Sequence, residues 1–564
     1  MTDDDTGPVS AEWSHRTTPH SRPVELWPLD PVVVVGNGPV GQTAALLLAR
    51  WGVPTIVLDR RAERDLVGSK AICQQRDALD VWESLGAHVA SHGVTWTTAR
   101  TFYRSDELSA MTMTDPGRSP LPPFVNISQS RTEQLLDERM ADSPLIDVRW
   151  GQGVDSITQD GGGVTVSGPG FTLHTPYLLV CAGARSDALR ALLGVDFGGH
   201  SFDDRFLICD IRASLPGWAS ERRFYFDPAW NPGRQVLIHP CPDSTYRIDW
   251  QVPPDYDLDA EVAAGALDER VRAIVGEVSY EIVWKSVYRF HTRCVDRMRV
   301  GRVLLAGDAA HLYAPFGARG LNSGVGDAEN AAWKIAFVGR DWSGADELLE
   351  SYHAERHAAA RENLSVTSAT MDFLVPQSAA AAAHRRDVLE RARAEVAARA
   401  LVDSGRLAEP FWYADSPLTT ADPARPFAGR PPRGAAPPPG PGVIVPDLPV
   451  VGPGSLRRLC RDGLLVLAAP GADLAVAAGA AAAVAPVPAR AADMAALSAE
   501  LPGLLGARDG EWWVVRPDAH LAAVVTEAEQ LGPALCRTLA RARIVSRARP
   551  ARLGDIATAS GRPC

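Results

Sequence analysis

The chain runs to 564 residues, enough for two or three domains around a large buried core. Its 68 acidic and 57 basic residues leave a mildly acidic balance, which argues against a general nucleic-acid binder. The eight cysteines are scattered, with no C-x-x-C pair and no clustering with histidine, so free thiols in a reducing compartment are expected instead of a disulfide framework or a metal site.

The start, Met1-Thr2-Asp3-Asp4-Asp5, is acidic and lacks the charged-then-apolar order of a signal peptide. Residues 1–27 therefore read as a flexible extension, and the expected location is cytoplasmic. The valines Val32 to Val35, running into glycine, predict a buried parallel strand that enters a tight turn. Gly36 takes the turn, Gly38 lets the backbone approach a phosphate, and Gly41 lets helix and strand pack closely. Pro39 suits the first helical turn, where its missing N–H costs nothing, and Val40 follows it. The helix ends at Gly52-Val53-Pro54. Its free N–H groups and positive dipole end would face a pyrophosphate. Thr55 to Leu58 reads as the next strand, with Asp59 and Arg60 at its tip. That spacing suits a carboxylate bonding a ribose hydroxyl.

Further along, Arg222 to Phe226, Gln235 to His239 and Tyr246 to Val252 alternate apolar and polar residues, as half-buried antiparallel strands do. A second glycine-rich segment follows. Arg302 to Ala306 predicts a strand with Gly307-Asp308 at its carboxyl end, where open α/β sheets bind ligands. Pro315 to Gly320 forms a loop, and Leu321-Asn322-Ser323-Gly324 begins a helix whose dipole favours an anionic partner. The first segment alone would serve a nicotinamide dehydrogenase. Both on one ligand point to FAD, with Asp308 placed to accept from a ribityl hydroxyl.

The tract from Pro423 to Pro446 is dense in proline and reads as a linker, within residues 401–447. The Ala-rich stretch from Leu474 to Pro488 is interrupted by glycine and proline, so it reads as a helix of a small domain and not a membrane span. Leu464 to Leu467 and Trp512 to Val515 are strand-like.

The stretch Gly307-Asp308-Ala309-Ala310-His311, with Pro315, Asn322 and Asp327 to Lys334 downstream, resembles the second FAD motif of the group A flavoprotein monooxygenases. The likeness covers roughly residues 28 to 400 and is strongest to the 3-(3-hydroxyphenyl)propionate hydroxylase and chlorophenol monooxygenase branch, which includes antibiotic-tailoring hydroxylases. It implies an α/β fold with a Rossmann-like FAD-binding domain of the glutathione-reductase type, an inserted mixed β-sheet substrate domain and a C-terminal thioredoxin-like domain. The implied boundaries are 28–100, 125–205 and 293–400 for the FAD domain, 101–124 and 206–292 for the sheet, and 448–564 for the last domain. That tail lacks a redox cysteine pair and is expected to support structure or a homodimer.

The resemblance implies further site residues. Gln129 matches a flavin-proximal glutamine. Lys70 stands where relatives often place an arginine on FAD, and lysine lacks the bidentate fork. Gly183 lies in the middle motif, where Ala182 replaces the family's aspartate and puts the docking of reduced nicotinamide in question. Pro315, Tyr313 and Phe316 would lie beside the reacting ring, as the catalytic group. Tyr225, His239, Arg247 and Trp250 would bind substrate. The cofactor set is Gly36, Gly38, Pro39, Val40, Gly41, Asp59, Arg60, Lys70, Gln129, Gly183, Asp308, Gly320, Leu321 and Asn322, with no metal ligands. The implied enzyme uses FAD, NADPH or NADH as transient reductant, and O2. It hydroxylates a phenolic or related electron-rich (hetero)aromatic molecule through a C4a-hydroperoxyflavin, in secondary metabolism or aromatic degradation, with no nucleic-acid or membrane partner. The alternatives are an FAD epoxidase, Baeyer–Villiger oxygenase or oxidative decarboxylase, or a non-catalytic flavin-binding redox protein.

Overall fold

A computed structural model describes residues 27–66, 68, 71–113, 119–431, 435–452 and 454–542; the extension up to residue 26 and Lys70 lie outside the described residues. Four β-branched valines, all buried, make Val32–Val35 a central strand. Its sheet has six strands in the order Arg299–Val300, Val303–Leu305, Leu178–Val180, Val32–Val35, Thr55–Asp59, Ile146–Trp150. All pairs are parallel except the first. The two glycine-rich segments thus end on strands separated by one neighbour, Leu178–Val180. Helices Pro39–Arg50 and Arg319–Val338 follow them. Gly52, at φ +72°, lets the chain leave the first helix for the next strand.

The inserted sheet has eight strands, in the order His311–Leu312, Tyr280–Val295, Phe197–Ala213, Thr245–Val252, Gln235–Cys241, Glu221–Phe226, Thr98–Tyr103, Asp106–Thr112. Glu221–Phe226 and Thr98–Tyr103 pair in parallel and the rest antiparallel, so the sheet is mixed. The three strands expected from alternation lie side by side in it. Both faces are covered. One packs on the short helices Leu258–Ala263 and Ala266–Val275 through Ile211, Ile248, Trp250 and Val271. The other carries Phe206, Phe224, Phe226 and Leu237 against Phe316 and the long helix Ala345–Leu374.

The last unit has a four-stranded sheet ordered Ala489–Asp493, Leu464–Ala468, Trp512–Val515, Leu521–Val525, with a parallel first pair and an antiparallel remainder. Helix Leu474–Ala483 connects the parallel pair and Ala528–Thr538 closes the unit. The Pro-rich stretch before it is not loose. Trp412, Tyr413, Leu418, Val443 and Val445 are buried, and Gly442 N–H donates to the Leu521 carbonyl at 2.7 Å. Trp27 is also buried, against Gly339.

The contact between the last unit and the first sheet's helices includes buried ion pairs beside a shared apolar core. Arg516 donates to both oxygens of Glu355, at 2.5 and 2.9 Å, and to both of Asp518, at 3.0 and 2.6 Å. Lys334 also donates to Glu355, at 2.7 Å. A second group joins Arg461 to Asp80 and Glu329 at 2.8 and 2.7 Å. Burial disfavours the charged carboxylates, yet the cations outweigh it at Glu355 and Asp518 and hold both well below the usual range. Burial wins at Lys334, whose ammonium is brought down to about 8, and at Asp80 and Glu329, whose carboxyls are raised.

Candidate functional site

The first turn is built from close backbone contacts that only glycine allows. A β-carbon on Gly36, at φ +108°, would lie 2.4 Å from the Cys181 carbonyl oxygen, and one on Gly41 would lie 1.9 Å from the Gly36 carbonyl. Gly38 differs: a β-carbon there would meet nothing within 4 Å. Its open face, at the N-cap of helix Pro39–Arg50, is where a phosphate would sit against unpaired N–H groups. A cleft lined by Asn37, Arg64, Asp137, Val148 and Trp150 lies beside it.

Asp59 is buried at the tip of its strand, and both carboxylate oxygens accept hydrogen bonds from the protein. Asn37 N–H reaches Oδ2 at 2.9 Å, and Arg61 donates from its backbone and guanidinium at 2.9–3.0 Å. Burial works to raise this carboxyl, but the Arg61 and Asn37 hydrogen bonds outweigh it and hold it below the ordinary range. Arg61, and not the exposed Arg60, is the arginine on this carboxylate.

The second segment meets the first directly. The Val40 side chain fills the space between Gly307 and Gly324: a β-carbon on either would lie 3.0 or 2.5 Å from Val40 Cγ2. Asp308 follows Gly307, and a β-carbon on Gly320 would lie 4.0 Å from its Oδ1. Asn322, on the first turn of helix Arg319–Val338, accepts from the Gln75 amide at 2.9 Å and donates to the Cys73 carbonyl at 3.1 Å. Leu321 packs on the main core. Gln129, first residue of helix Gln129–Ala141, accepts from the Ala71 amide at 3.2 Å and donates to Glu133 at 2.8 Å. Gly183, at φ +77°, faces open space next to Ala182. Val40 against Gly307 and Gly324 thus brings the two glycine turns together.

A buried carboxylate that motif spacing did not single out holds the second turn. Asp327 accepts from Gly307 N–H at 2.9 Å, His311 Nε2 at 2.7 Å and Arg356 Nε at 2.7 Å. Burial works against its charge, but His311, Arg356 and the Gly307 amide prevail and bring it to about 2. Its distance from Asp308 in sequence hid this role, although both belong to the stretch that carries the family likeness.

On the inserted sheet, period-2 alternation divides the expected substrate residues between two faces. His239 and Arg247 are cross-strand partners on the face shared with Phe224, Leu237 and Phe316. Trp250 and Tyr225 are on the opposite face, Trp250 fully buried beneath the Ala266–Val275 helix and Tyr225 stacked on Phe102 at 4.6 Å. These two are corrected to packing residues. Arg247 and Trp250 are three apart in one strand, so they cannot share a face. Phe316 lies 5.6 Å from Phe206 and 6.2 Å from Phe224 between ring centroids, while Pro315 is exposed beside it. Tyr313 turns the other way. Its ring stacks on His311 at 4.7 Å, so it supports the Asp327 cluster and does not face the sheet.

Known proteins agree with this geometry. The FAD binding domain family matches residues 30–367. The 3-(3-hydroxy-phenyl)propionate/3-hydroxycinnamic acid hydroxylase of Mycolicibacterium smegmatis is 30% identical over 368 residues, 64% of this chain and 64% of that protein. The chain therefore spans just under two thirds of that curated relative. The rifampicin monooxygenase of Streptomyces venezuelae is 32% identical over 357 residues, covering 61% and 71% of the two chains. The solved flavin-dependent monooxygenase PieE, in complex with FAD and substrate, shares the fold over 90% of this chain and 98% of its own at a TM-score of 0.79 and 22% identity. Aklavinone-11 hydroxylase with FAD and aklavinone gives 0.72 over 91% and 99% at 24% identity. With the two glycine turns in contact and residues 30–367 matched, more than half the chain, the protein belongs to the FAD binding domain family.

Proposed function

We propose that the protein is an FAD-dependent monooxygenase that hydroxylates an electron-rich aromatic substrate with NAD(P)H and O2. The observation that carries this reading is the meeting of Val40 with Gly307 and Gly324, which joins a phosphate turn to a second turn opposite an aromatic-lined sheet face. The hydroxylase names of the sequence relatives support the reaction class. Gly36, Gly38, Pro39, Val40 and Gly41 would hold the pyrophosphate and Asp59 the ribose end. Gln129, Gly183, Asp308, Gly320, Leu321 and Asn322 would hold the flavin half. Bound FAD would supply the electron transfer from NAD(P)H to O2. The chain's own part is to orient the ring between Phe316 and the sheet and to exclude water there.

The strand order of the last unit, with its parallel pair beside an antiparallel pair, supports a thioredoxin-like arrangement for it. Its ionic contact with helix Ala345–Leu374 supports a structural role, and a homodimer built through this unit is part of the proposal. Ala182 leaves no carboxylate at the middle motif, so reduction is the step to measure first. Anaerobic mixing of the yellow holoenzyme with NADPH or NADH should bleach the flavin, faster with a suitable phenol present. Under air, labelled oxygen should enter the product. Purification of the native protein without any flavin would end the cofactor assignment, and bleaching without oxygen incorporation would favour a redox protein.

A further inference from the structure

The flavin-side face of the inserted sheet carries polar side chains that the packing does not use up. Strand register puts Trp284, Asp210, Arg247 and His239 in one transverse row. One step beyond the Arg223–Ile238 pair brings Arg222 level with His239. The next row on the same face reads Ser286, Ile208, Asp249, Leu237, Phe224 and Thr101. Arg247 is committed: its Nε and Nη2 bond both oxygens of Asp210 at 2.8 and 2.9 Å. Asp249 is not. Its Oδ1 is buried without a hydrogen-bond partner, and so is Nδ1 of His239, its diagonal neighbour at roughly 7–8 Å. Burying such atoms unpaired is costly, and a ligand hydroxyl would offset that cost.

The pair is placed for a ligand. Phe224 of the Asp249 row approaches Phe316, and Trp284, at the end of the His239 row, would lie 3.2 Å from a β-carbon on Gly68. The Phe316 loop and the segment after Asp59 therefore border this strip. We propose that Asp249, seconded by His239, is the hydrogen-bond acceptor that anchors a hydroxyl of the aromatic substrate on the sheet. The proposal rests on the monooxygenase reading and narrows its substrates to hydroxyl-bearing aromatics. The groups facing Asp249 are Arg247 on its own strand and Asp210, Arg222 and His239 on neighbouring strands. Desolvation dominates over the arginines and raises the Asp249 carboxyl to about 7. Burial, then Arg222 and Arg247, keep His239 neutral, well below its ordinary range.

The test is equilibrium binding of 2-naphthol and 2-methoxynaphthalene to the FAD-loaded full chain, read from the flavin absorbance. Wild type should prefer the naphthol at least roughly tenfold, as a buried acceptor left unpaired by the ether predicts. D249L, which removes the acceptor, should lose that preference while retaining FAD, and H239Q should reduce it in part. A second arm needs no variant. Between pH 5 and 8 the naphthol stays neutral, so the wild-type preference should shrink as pH falls through about 7 and Asp249 takes a proton. Equal binding of the two probes by wild type, including no binding of either, overturns the assignment. So does a preference that survives D249L or is flat with pH. The monooxygenase reading fails by a different readout, NAD(P)H oxidation without oxygen in any aromatic product.

Discussion

Two buried charged clusters in this protein have opposite hydrogen-bond balances. Around Glu355, each carboxylate oxygen meets a cation, and Arg516 donates to both Glu355 and Asp518. On the inserted sheet, Arg247 and Asp210 satisfy each other, but Asp249 Oδ1 and His239 Nδ1 are left over. A closed network holds two parts of a chain together. An open one, facing a strip of aromatic side chains, has capacity for a ligand. The difference teaches that buried charge marks a binding site only when its hydrogen bonds do not close.

The largest expected effect comes from opening the closed cluster. Glu355→Ala strands Arg516 and Lys334 without their shared carboxylate and should cost about 3–5 kcal/mol. Chemical denaturation of the holoenzyme measures this, and a loss below about 1 kcal/mol would erase the contrast between the clusters. Acid attacks the same cluster. Glu355, Asp518 and Asp327 are all held below their unfolded values, so their stabilisation is complete above about pH 4.5 and lost as pH falls through the folded values. Asp80 and Glu329 are raised and work in the other direction. Net loss of stability below about pH 4.5, followed by tryptophan fluorescence, is the expected result.

The flavin turns sharpen the comparison by separating fold from ligand. Gly36→Ala forces a β-carbon onto the Cys181 carbonyl and should lower both melting temperature and FAD content. Gly38→Ala meets no protein atom, so the fold should persist while FAD affinity falls roughly tenfold, about 1.4 kcal/mol. Asp308→Ala should weaken FAD by a similar amount, as one lost hydrogen bond of about 1–1.5 kcal/mol predicts. Titration of apoprotein with FAD reads both, and wild-type retention in either variant would remove that residue from the site. The smallest effect belongs to the far side of the sheet. Tyr225→Phe should change substrate KM by less than about twofold, since its ring packs on Phe102 away from the loop of Phe316. A larger change would undo the face assignment.

The backbone-level features could be read along the chain. Valine runs, glycines at fixed offsets and a strand-tip carboxylate act through neighbours only a few residues away. The central strand, the turn at Gly36 to Gly41, Asp59, Gly307-Asp308 and Asn322 were legible for that reason. Which side chains share a space depends on packing between distant segments. Choosing between Trp250 and Asp249 required the sheet's two faces to be told apart. Alternation separates Trp250 from Asp249 but does not say which face meets the site: helices cover the apolar parity and Phe316 borders the other. Asp327 and Glu355 were hidden for a related reason. Their partners, His311 and Arg356 for one, Lys334 and Arg516 for the other, are brought together by folding from positions 16 to 161 residues away. Local spacing carries no trace of such pairs, because their geometry exists only once the helices and sheets have packed.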